Sequence, residues 1–189
     1  TVVTRARAVG GGFEVTFADA SDTNHPPIVT LDMLRGFDVV TAQRWNKHDG
    51  LGTWRRAAQW AKLCYELDDD LWNVTPENFN AYILYNRPDI QDATQHAAET
   101  ADLITVTTEP LAQVMREVAG RDRVAVLPNC IPEWATRLPH TLHRRPRVGW
   151  QGGASHGVDI GQVASPVRRF LKRFGDWDLQ LNGQDYRET

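Results

Sequence analysis

The hydrophobic and polar positions along the chain alternate between a strand-like and a helix-like period. Residues 13–17 alternate apolar and polar side chains, as a half-buried strand does, whereas residues 62–67 resemble a largely buried strand. Between such segments, apolar residues recur at the spacing of amphipathic helices. The pattern predicts strands over 13–17, 37–42, 62–67, 103–106, 123–127, 147–150 and 177–181, and helices over 53–61, 89–101, 108–120 and 158–174.

Repeated strand–helix units predict an α/β fold with a Rossmann-like, doubly wound parallel sheet. Residues 1–127 supply most of one domain, within which residues 73–88 are predicted to be a long irregular segment. Residues 128–146 contain four prolines and are predicted to be a linker. Residues 147–189 supply one β-α-β unit, which is too small to bury a parallel strand on both faces. That unit therefore packs onto the first domain, or it opens a second domain that is incomplete in this chain.

The composition and net charge of the chain limit the kinds of partner and the cellular compartment that we predict for it. The chain has 189 residues and a net charge of −3, so charge gives no case for nucleic acid or an anionic membrane as a bulk partner. No apolar run approaches the roughly 18 residues of a membrane span, and no signal-peptide pattern is visible. The two cysteines suggest no disulfide framework. We therefore predict a protein of the reducing cytoplasm.

Three consecutive aspartates, Asp68, Asp69 and Asp70, follow the strand over residues 62–67 directly. Burying an unpaired carboxylate costs several kcal/mol, so the run must emerge at an edge of the sheet. In open α/β sheets, ligands bind at the carboxyl edge of the strands. The aspartates therefore indicate a cleft.

The aspartate run has three interpretations. It binds a metal ion through hard oxygens, or it supplies a general base or hydroxyl-binding carboxylates. In the third interpretation, one aspartate caps the following turn and the others are solvated. Arg44, at the end of the preceding strand, is placed to neutralise the aspartates or to contact an anion.

A glycine-rich loop joins the strand over 147–150 to the helix over 158–174. It contains Gly152, Gly153, Ser155 and His156. Glycines let the backbone approach a ligand closely, and the helix N-terminus offers free N–H groups to a phosphate. A plain tight turn is the alternative, because the spacing fits neither the dinucleotide fingerprint nor the P-loop pattern.

Five segments together carry a family resemblance. In chain order they are 37–44, 65–72, 101–108, 126–129 and 148–156. They resemble nucleotide-sugar glycosyltransferases of the two-Rossmann (GT-B) fold, most closely the family-4-type retaining enzymes, including versions in bacterial and phage genomes. The resemblance covers nearly the whole chain.

The resemblance implies that the two domains bind different substrates. The first domain binds the acceptor, and the catalytic side chains Asp68, Asp69 and Asp70 face an interdomain cleft. Asp68 or Asp69 orients the acceptor hydroxyl or assists its deprotonation. The donor is a nucleotide-diphosphate sugar, and neither a metal nor another cofactor is required. The remaining implied contacts are Gly152, Gly153, Ser155 and His156 for the donor diphosphate, and Arg44, Trp72, Asn129 and Trp150 for the cleft and acceptor.

The chain departs from the family near its end. Family members hold the donor ribose with an acidic pair late in the second domain, and the sequence stops at Thr189 before any such pair. We therefore expect these 189 residues alone to have little or no transferase activity. Two alternatives remain: a non-catalytic carbohydrate- or nucleotide-binding remnant, and a receiver-like or Mg²⁺-dependent phosphate enzyme that uses the aspartates.

Overall fold

The computed structural model describes residues 2–9, 12–19, 29–45, 50–138, 145–153 and 156–183. The chain divides into two compact units, Thr1–Asn73 with Tyr85–Cys130 and Val74–Leu84 with Ile131–Thr189. The predicted end of the first domain at residue 127 lies close to Cys130. The sequence pattern does not predict that Val74–Leu84 belongs to the second unit.

The first unit is built on a six-stranded sheet. Its strands are β1 Val2–Val9, β2 Gly12–Asp19, β3 Val39–Gln43, β4 Lys62–Leu67, β5 Leu103–Val106 and β6 Val124–Val126. Their order is β2-β1-β3-β4-β5-β6, and β3 to β6 run parallel. The α/β fold with a parallel sheet is thereby confirmed. β1 is a difference from expectation: it pairs antiparallel with both β2 and β3, so the chain opens with a hairpin.

The helices differ from the predicted ones mainly in the bounds of one helix and in three additional short helices. The helices are α1 Leu31–Leu34, α2 Leu51–Ala57, α3 Phe79–Tyr85, α4 Pro88–Thr100, α5 Glu109–Ala119, α6 Glu133–Thr136 and α7 Gly157–Arg173. α2 starts two residues before the expected helix and ends at Ala57, because the buried stripe consists of Leu51, Trp54 and Ala57. α3 lies inside the segment predicted to be irregular, where its seven residues were too few to show a period.

The helices packed on the parallel strands lie on one face of the sheet. Val40 and Ala42 of β3 belong to a single core shared with α2, α4 and α5, whereas Thr41 on the opposite face is only half-buried. The cause is topological. From β3 to β6 the strand order advances in one direction, and right-handed crossovers then place α2, α4 and α5 on the same side. Helices on both faces of the sheet, which the doubly wound arrangement requires, therefore stay a prediction.

Local sequence signals fix the ends of α5. The Thr108 side chain accepts a hydrogen bond from the backbone N–H of Leu111, and Gly120 closes the helix in the left-handed region at φ 61°. These ends agree with the predicted helix over 108–120. They set where α5 leaves β5 and where the chain turns back towards β6.

Asp102 ties the start of β5 to β4. Its carboxylate accepts a hydrogen bond from Lys62 Nζ at 2.8 Å and another from the backbone N–H of Leu63 at 3.0 Å. The Lys62 contact is the main reason that the pKa of Asp102 lies below its ordinary value of 3.8. A carboxylate with a depressed folded-state pKa stabilises the fold above its unfolded pKa, and this stabilisation disappears as pH falls through the folded-state value.

We therefore expect Asp102→Asn to lower the free energy of unfolding by about 1 kcal/mol at neutral pH, and by progressively less below about pH 4. Urea titrations of both proteins across that range measure the difference. A difference that does not change with pH contradicts the assigned role.

The second unit contains a two-stranded parallel sheet formed by β7 Arg147–Gly152 and β8 Asp178–Gly183, with α7 as the connection. The predicted β-α-β unit is therefore present. Part of the predicted linker forms α6, and the rest of the linker that follows residue 138 lies largely outside the described residues. In the part of the chain that the structure describes, no helix is both long and apolar enough to cross a bilayer.

Candidate functional site

The carboxyl ends of the parallel strands bring several of the predicted site residues of the first unit to one edge of the sheet. Gln43 at the end of β3 pairs with Glu66, and Leu67 at the end of β4 pairs with Val106. The residues that follow these ends are therefore neighbours: Arg44, Asp68 and Thr107. The Thr107 hydroxyl, 3.4 Å from the carbonyl of Asp68, donates to it across the same edge.

Arg44 holds two of the three aspartates. Its Nε donates to Oδ1 of Asp68 at 2.7 Å, and its Nη2 lies 2.6 Å from the same oxygen and 2.5 Å from Oδ2 of Asp69. The Arg44 and Asp68 side chains are about one-third exposed (33% and 30%), whereas Asp69 is 61% exposed. Of the two sequence-based roles for Arg44, the structure shows the neutralising one.

The backbone at Arg44 is unusual. Its φ of 50° places a non-glycine residue in the left-handed region, which costs about 1 kcal/mol. Burial by itself lowers the pKa of Arg44, but the hydrogen bond to Asp68 and the charges of Asp68 and Asp69 outweigh it and raise that pKa. The left-handed residue ends β3 and directs the guanidinium across to the end of β4.

Asp70 has a different role from its neighbours. One of its oxygens accepts hydrogen bonds from the backbone N–H groups of Trp72 and Asn73, at 3.0 and 3.2 Å, and the other accepts from Asn73 Nδ2 at 2.7 Å. These contacts form the turn that leaves the sheet edge. Of the three interpretations of the run, turn capping describes Asp70, whereas Asp68 and Asp69 are held by Arg44.

The other two predicted cleft residues of this unit are not part of the Arg44 cluster as far as the described contacts show. Trp72 is half-buried and packs against the hydrophobic core. Asn129 is exposed just after β6. Their assignment to an acceptor site remains a prediction.

In the second unit, the glycine loop begins later than expected. β7 extends through Gly152, which pairs with Gly183 of β8. Gly183 has φ 101°, and a Cβ there would lie 2.1 Å from the carbonyl oxygen of Gly152, so only glycine fits. The loop proper therefore starts at Gly153, whose carbonyl accepts from the N–H of His156 at 3.1 Å. Ser155 lies outside the described residues.

His156 stands at the N-terminus of α7 with a carboxylate partner. Its Nδ1 is 2.8 Å from Oδ2 of Asp159, three residues later in the first helical turn. Sequence reasoning missed Asp159, although its position was readable as a carboxylate three residues after a histidine at a helix start. The contact with Asp159 occupies Nδ1 of the imidazole, and Nε2 takes no part in it.

Trp150 lies in the wall of an apolar groove of about 160 Å³ inside the second unit. The groove runs between α7 and the two strands, so Trp150 shares it with Val163, Val167 and Leu181. Packing within the β-α-β unit accounts for this position, and a role in the cleft remains a prediction.

The described residues hold no group of three or more histidine, cysteine, aspartate or glutamate side chains arranged to bind a metal ion. Both carboxylate oxygens of Asp70 are occupied by its own turn, and one oxygen each of Asp68 and Asp69 is occupied by Arg44. At this edge, the carboxylates of Asp68 and Asp69 can still accept hydrogen bonds through the oxygens that Arg44 does not occupy. No protein-family model matches the chain, and no curated protein is similar to it.

Proposed function

We propose that the chain is the acceptor-side domain and the opening of the donor-side domain of a nucleotide-sugar glycosyltransferase of the GT-B fold, similar to the family-4-type enzymes. The observation that carries the proposal is the cluster of Arg44, Asp68 and Asp69 at the carboxyl edge of the parallel sheet. Ligands of open α/β sheets bind at this edge. The proposal rests also on the order of the five resembling segments along the chain.

The paired carboxylates suit a ligand rich in hydroxyl groups. A carboxylate has about four lone-pair sites, and Arg44 engages a single oxygen of each aspartate. The described residues donate no hydrogen bond to Oδ2 of Asp68 or Oδ1 of Asp69. Those oxygens are placed to accept from acceptor hydroxyls, so we assign Asp68 and Asp69 to hydroxyl orientation. Because Arg44 is shared between them, neither is an isolated base.

The donor diphosphate is proposed to bind at the start of α7. The first backbone N–H groups of a helix lack intrahelical partners and favour an anion, and α7 begins at Gly157, directly after His156. When both ring nitrogens of His156 carry protons, Nδ1 donates to Asp159 and Nε2 is left to donate to a phosphate oxygen. Such donors stabilise the charge that develops on a departing diphosphate.

Calorimetry of the full chain with UDP and with GDP in metal-free buffer tests this proposal. We expect one of them to bind without Mg²⁺ and His156→Ala to weaken that binding about tenfold, the value of one charge-assisted hydrogen bond. His96→Ala is the matched control, because His96 also has an acidic partner three residues on, with Nδ1 3.7 Å from Glu99. It is expected to leave the affinity unchanged.

Other results separate the alternatives. Absence of binding by either nucleotide, or equal losses in the two histidine variants, contradicts the proposed donor site. Binding of Mg²⁺ alone supports the phosphate-enzyme alternative. We expect these 189 residues to bind nucleotide without transferring sugar, and turnover of a nucleotide sugar by them refutes that expectation.

A further inference from the structure

A basic face on α7 is not used by the proposed function. It consists of Arg168, Arg169, Lys172 and Arg173, all exposed, and we name these four residues the basic face. On the opposite side of the helix, Val163, Ala164 and Val167 line the groove against the strands. Arg168 also reaches the rim of that groove. Because Arg168 lies eleven residues after Gly157, the basic face begins about 17 Å along the helix from the proposed diphosphate site.

The four cations repel one another. Arg168 and Lys172 are four residues apart, as are Arg169 and Arg173, and like charges at this spacing destabilise a helix. The favourable charge at a helix C-terminus accounts for Lys172 and Arg173, which lie in the last turn, but not for the two arginines one turn earlier.

Within the described residues no carboxylate forms an ion pair with the basic face. Arg169 donates to the Ser165 hydroxyl, and the Arg173 guanidinium lies 5.5 Å from the centre of the Phe174 ring. Two arginines of the first unit, in contrast, have acidic partners: Arg87 pairs with Asp89, and Arg116 with Glu109. An ordinary solvated helix face interleaves both signs of charge, so the basic face requires another explanation.

We propose that the basic face of α7 is a docking surface for an anionic lipid bilayer. Clusters of four or more cations on an amphipathic helix bind acidic lipids, and each cation contributes about fivefold to the affinity. The chain as a whole carries a charge of −3, so the attraction is local to this helix. Binding of anionic lipids also relieves the repulsion among the four cationic side chains.

The dimensions of the basic face favour a bilayer over a nucleic acid. The four residues span five steps of the helix, about 7 Å along its axis. A duplex presents fixed phosphates, one per about 3.4 Å of axis on each strand, so this span meets only about two per strand. Lipid headgroups diffuse laterally, and one anionic lipid can therefore collect under each cation.

Cosedimentation of the full chain with vesicles tests the proposal. We expect binding to phosphatidylcholine vesicles that contain about 30 mol % phosphatidylserine, weak binding to pure phosphatidylcholine, and a fall in affinity with added salt. The variant R168Q/R169Q/K172Q/R173Q is expected to lose affinity by roughly 600-fold, the product of four fivefold contributions. The milder variant R169Q/R173Q, which removes one like-charged pair, is expected to lose roughly twentyfold. Thermal unfolding of both variants checks that the fold is kept.

The matched control is R55Q/R56Q/R121Q/R123Q, which removes four exposed cations of the first unit and changes the net charge equally. It is expected to lose less than about twofold, because these four side chains are not part of the basic face. Equal losses in both fourfold variants overturn the proposal, since net charge then explains the binding. Equal binding to the two vesicle types also overturns it. If the chain binds a short DNA duplex through these four cations and does not bind vesicles, the basic face is assigned to nucleic acid instead.

Discussion

Replacement of Trp54 by alanine is expected to lower the free energy of unfolding of the first unit by about 3–5 kcal/mol, the usual cost of removing a fully buried tryptophan. The Trp54 side chain is completely buried. Its ring centre lies 5.7 Å from that of Trp45 and 6.4 Å from that of Tyr65. Its indole N–H donates to the carbonyl of Ala97 at 3.3 Å, so one residue joins α2, α4 and the sheet.

The size of this effect follows from three losses that occur together. The substitution leaves a large cavity, removes the aromatic contacts with Trp45 and Tyr65, and leaves the Ala97 carbonyl without the indole donor. Urea denaturation followed by far-UV circular dichroism measures the change. Trp134→Ala is the control, because that tryptophan is 66% exposed, and it is expected to change stability by less than about 0.5 kcal/mol. A loss below about 1 kcal/mol for Trp54→Ala contradicts the assigned core.

Replacement of Arg44 by glutamine is expected to cost about 2 kcal/mol, between the values for exposed and buried ion pairs. The guanidinium and Asp68 are about two-thirds buried, and without Arg44 the carboxylates of Asp68 and Asp69 face each other with no cation between them. The left-handed backbone at this residue remains in the variant, so the loss reports the side chain.

A double-mutant cycle apportions the effect. We expect Arg44→Gln and Asp68→Asn to be coupled by about 1 kcal/mol or more, and Arg44→Gln and Asp69→Asn by less than about 0.5 kcal/mol, because Asp69 is 61% exposed. Arg35→Gln serves as the control, since Arg35 pairs at 3.5 Å with Asp32 and both are largely exposed. A negligible coupling between Arg44 and Asp68 shows that the pair does not hold this edge together.

Segments with strong local signals were predictable from the sequence. β4 and β5 have the predicted bounds, because each is an apolar run bordered by charged or turn-forming residues. The ends of α5 followed from Thr108 and Gly120, whose capping roles depend on neighbouring residues alone. The place of the aspartate run at the carboxyl edge also followed, since unpaired carboxylates cannot remain inside the sheet.

Features that depend on distant partners were not predictable. β7 extends through Gly152 because β8 returns beside it, and the antiparallel place of β1 is decided by its pairing with β3. The different roles within the aspartate run have the same origin. Asp68 and Asp69 are selected by an arginine on another strand, whereas Asp70 is turned towards Asn73 by the local chain path. Identical side chains in sequence give no signal for that choice.

The most direct test of the central claim, that Asp68 and Asp69 form an arginine-paired, hydroxyl-binding edge and not a metal site, is an NMR titration of the ¹⁵N-labelled chain with Mg²⁺. The amide signals of Asp68, Asp69 and Asp70 report on the edge directly. With Arg44 occupying one oxygen of each paired aspartate, we predict small, linear shifts up to millimolar Mg²⁺. Saturable shifts at millimolar Mg²⁺ or below, confined to these residues and lost in Asp69→Asn, contradict the account.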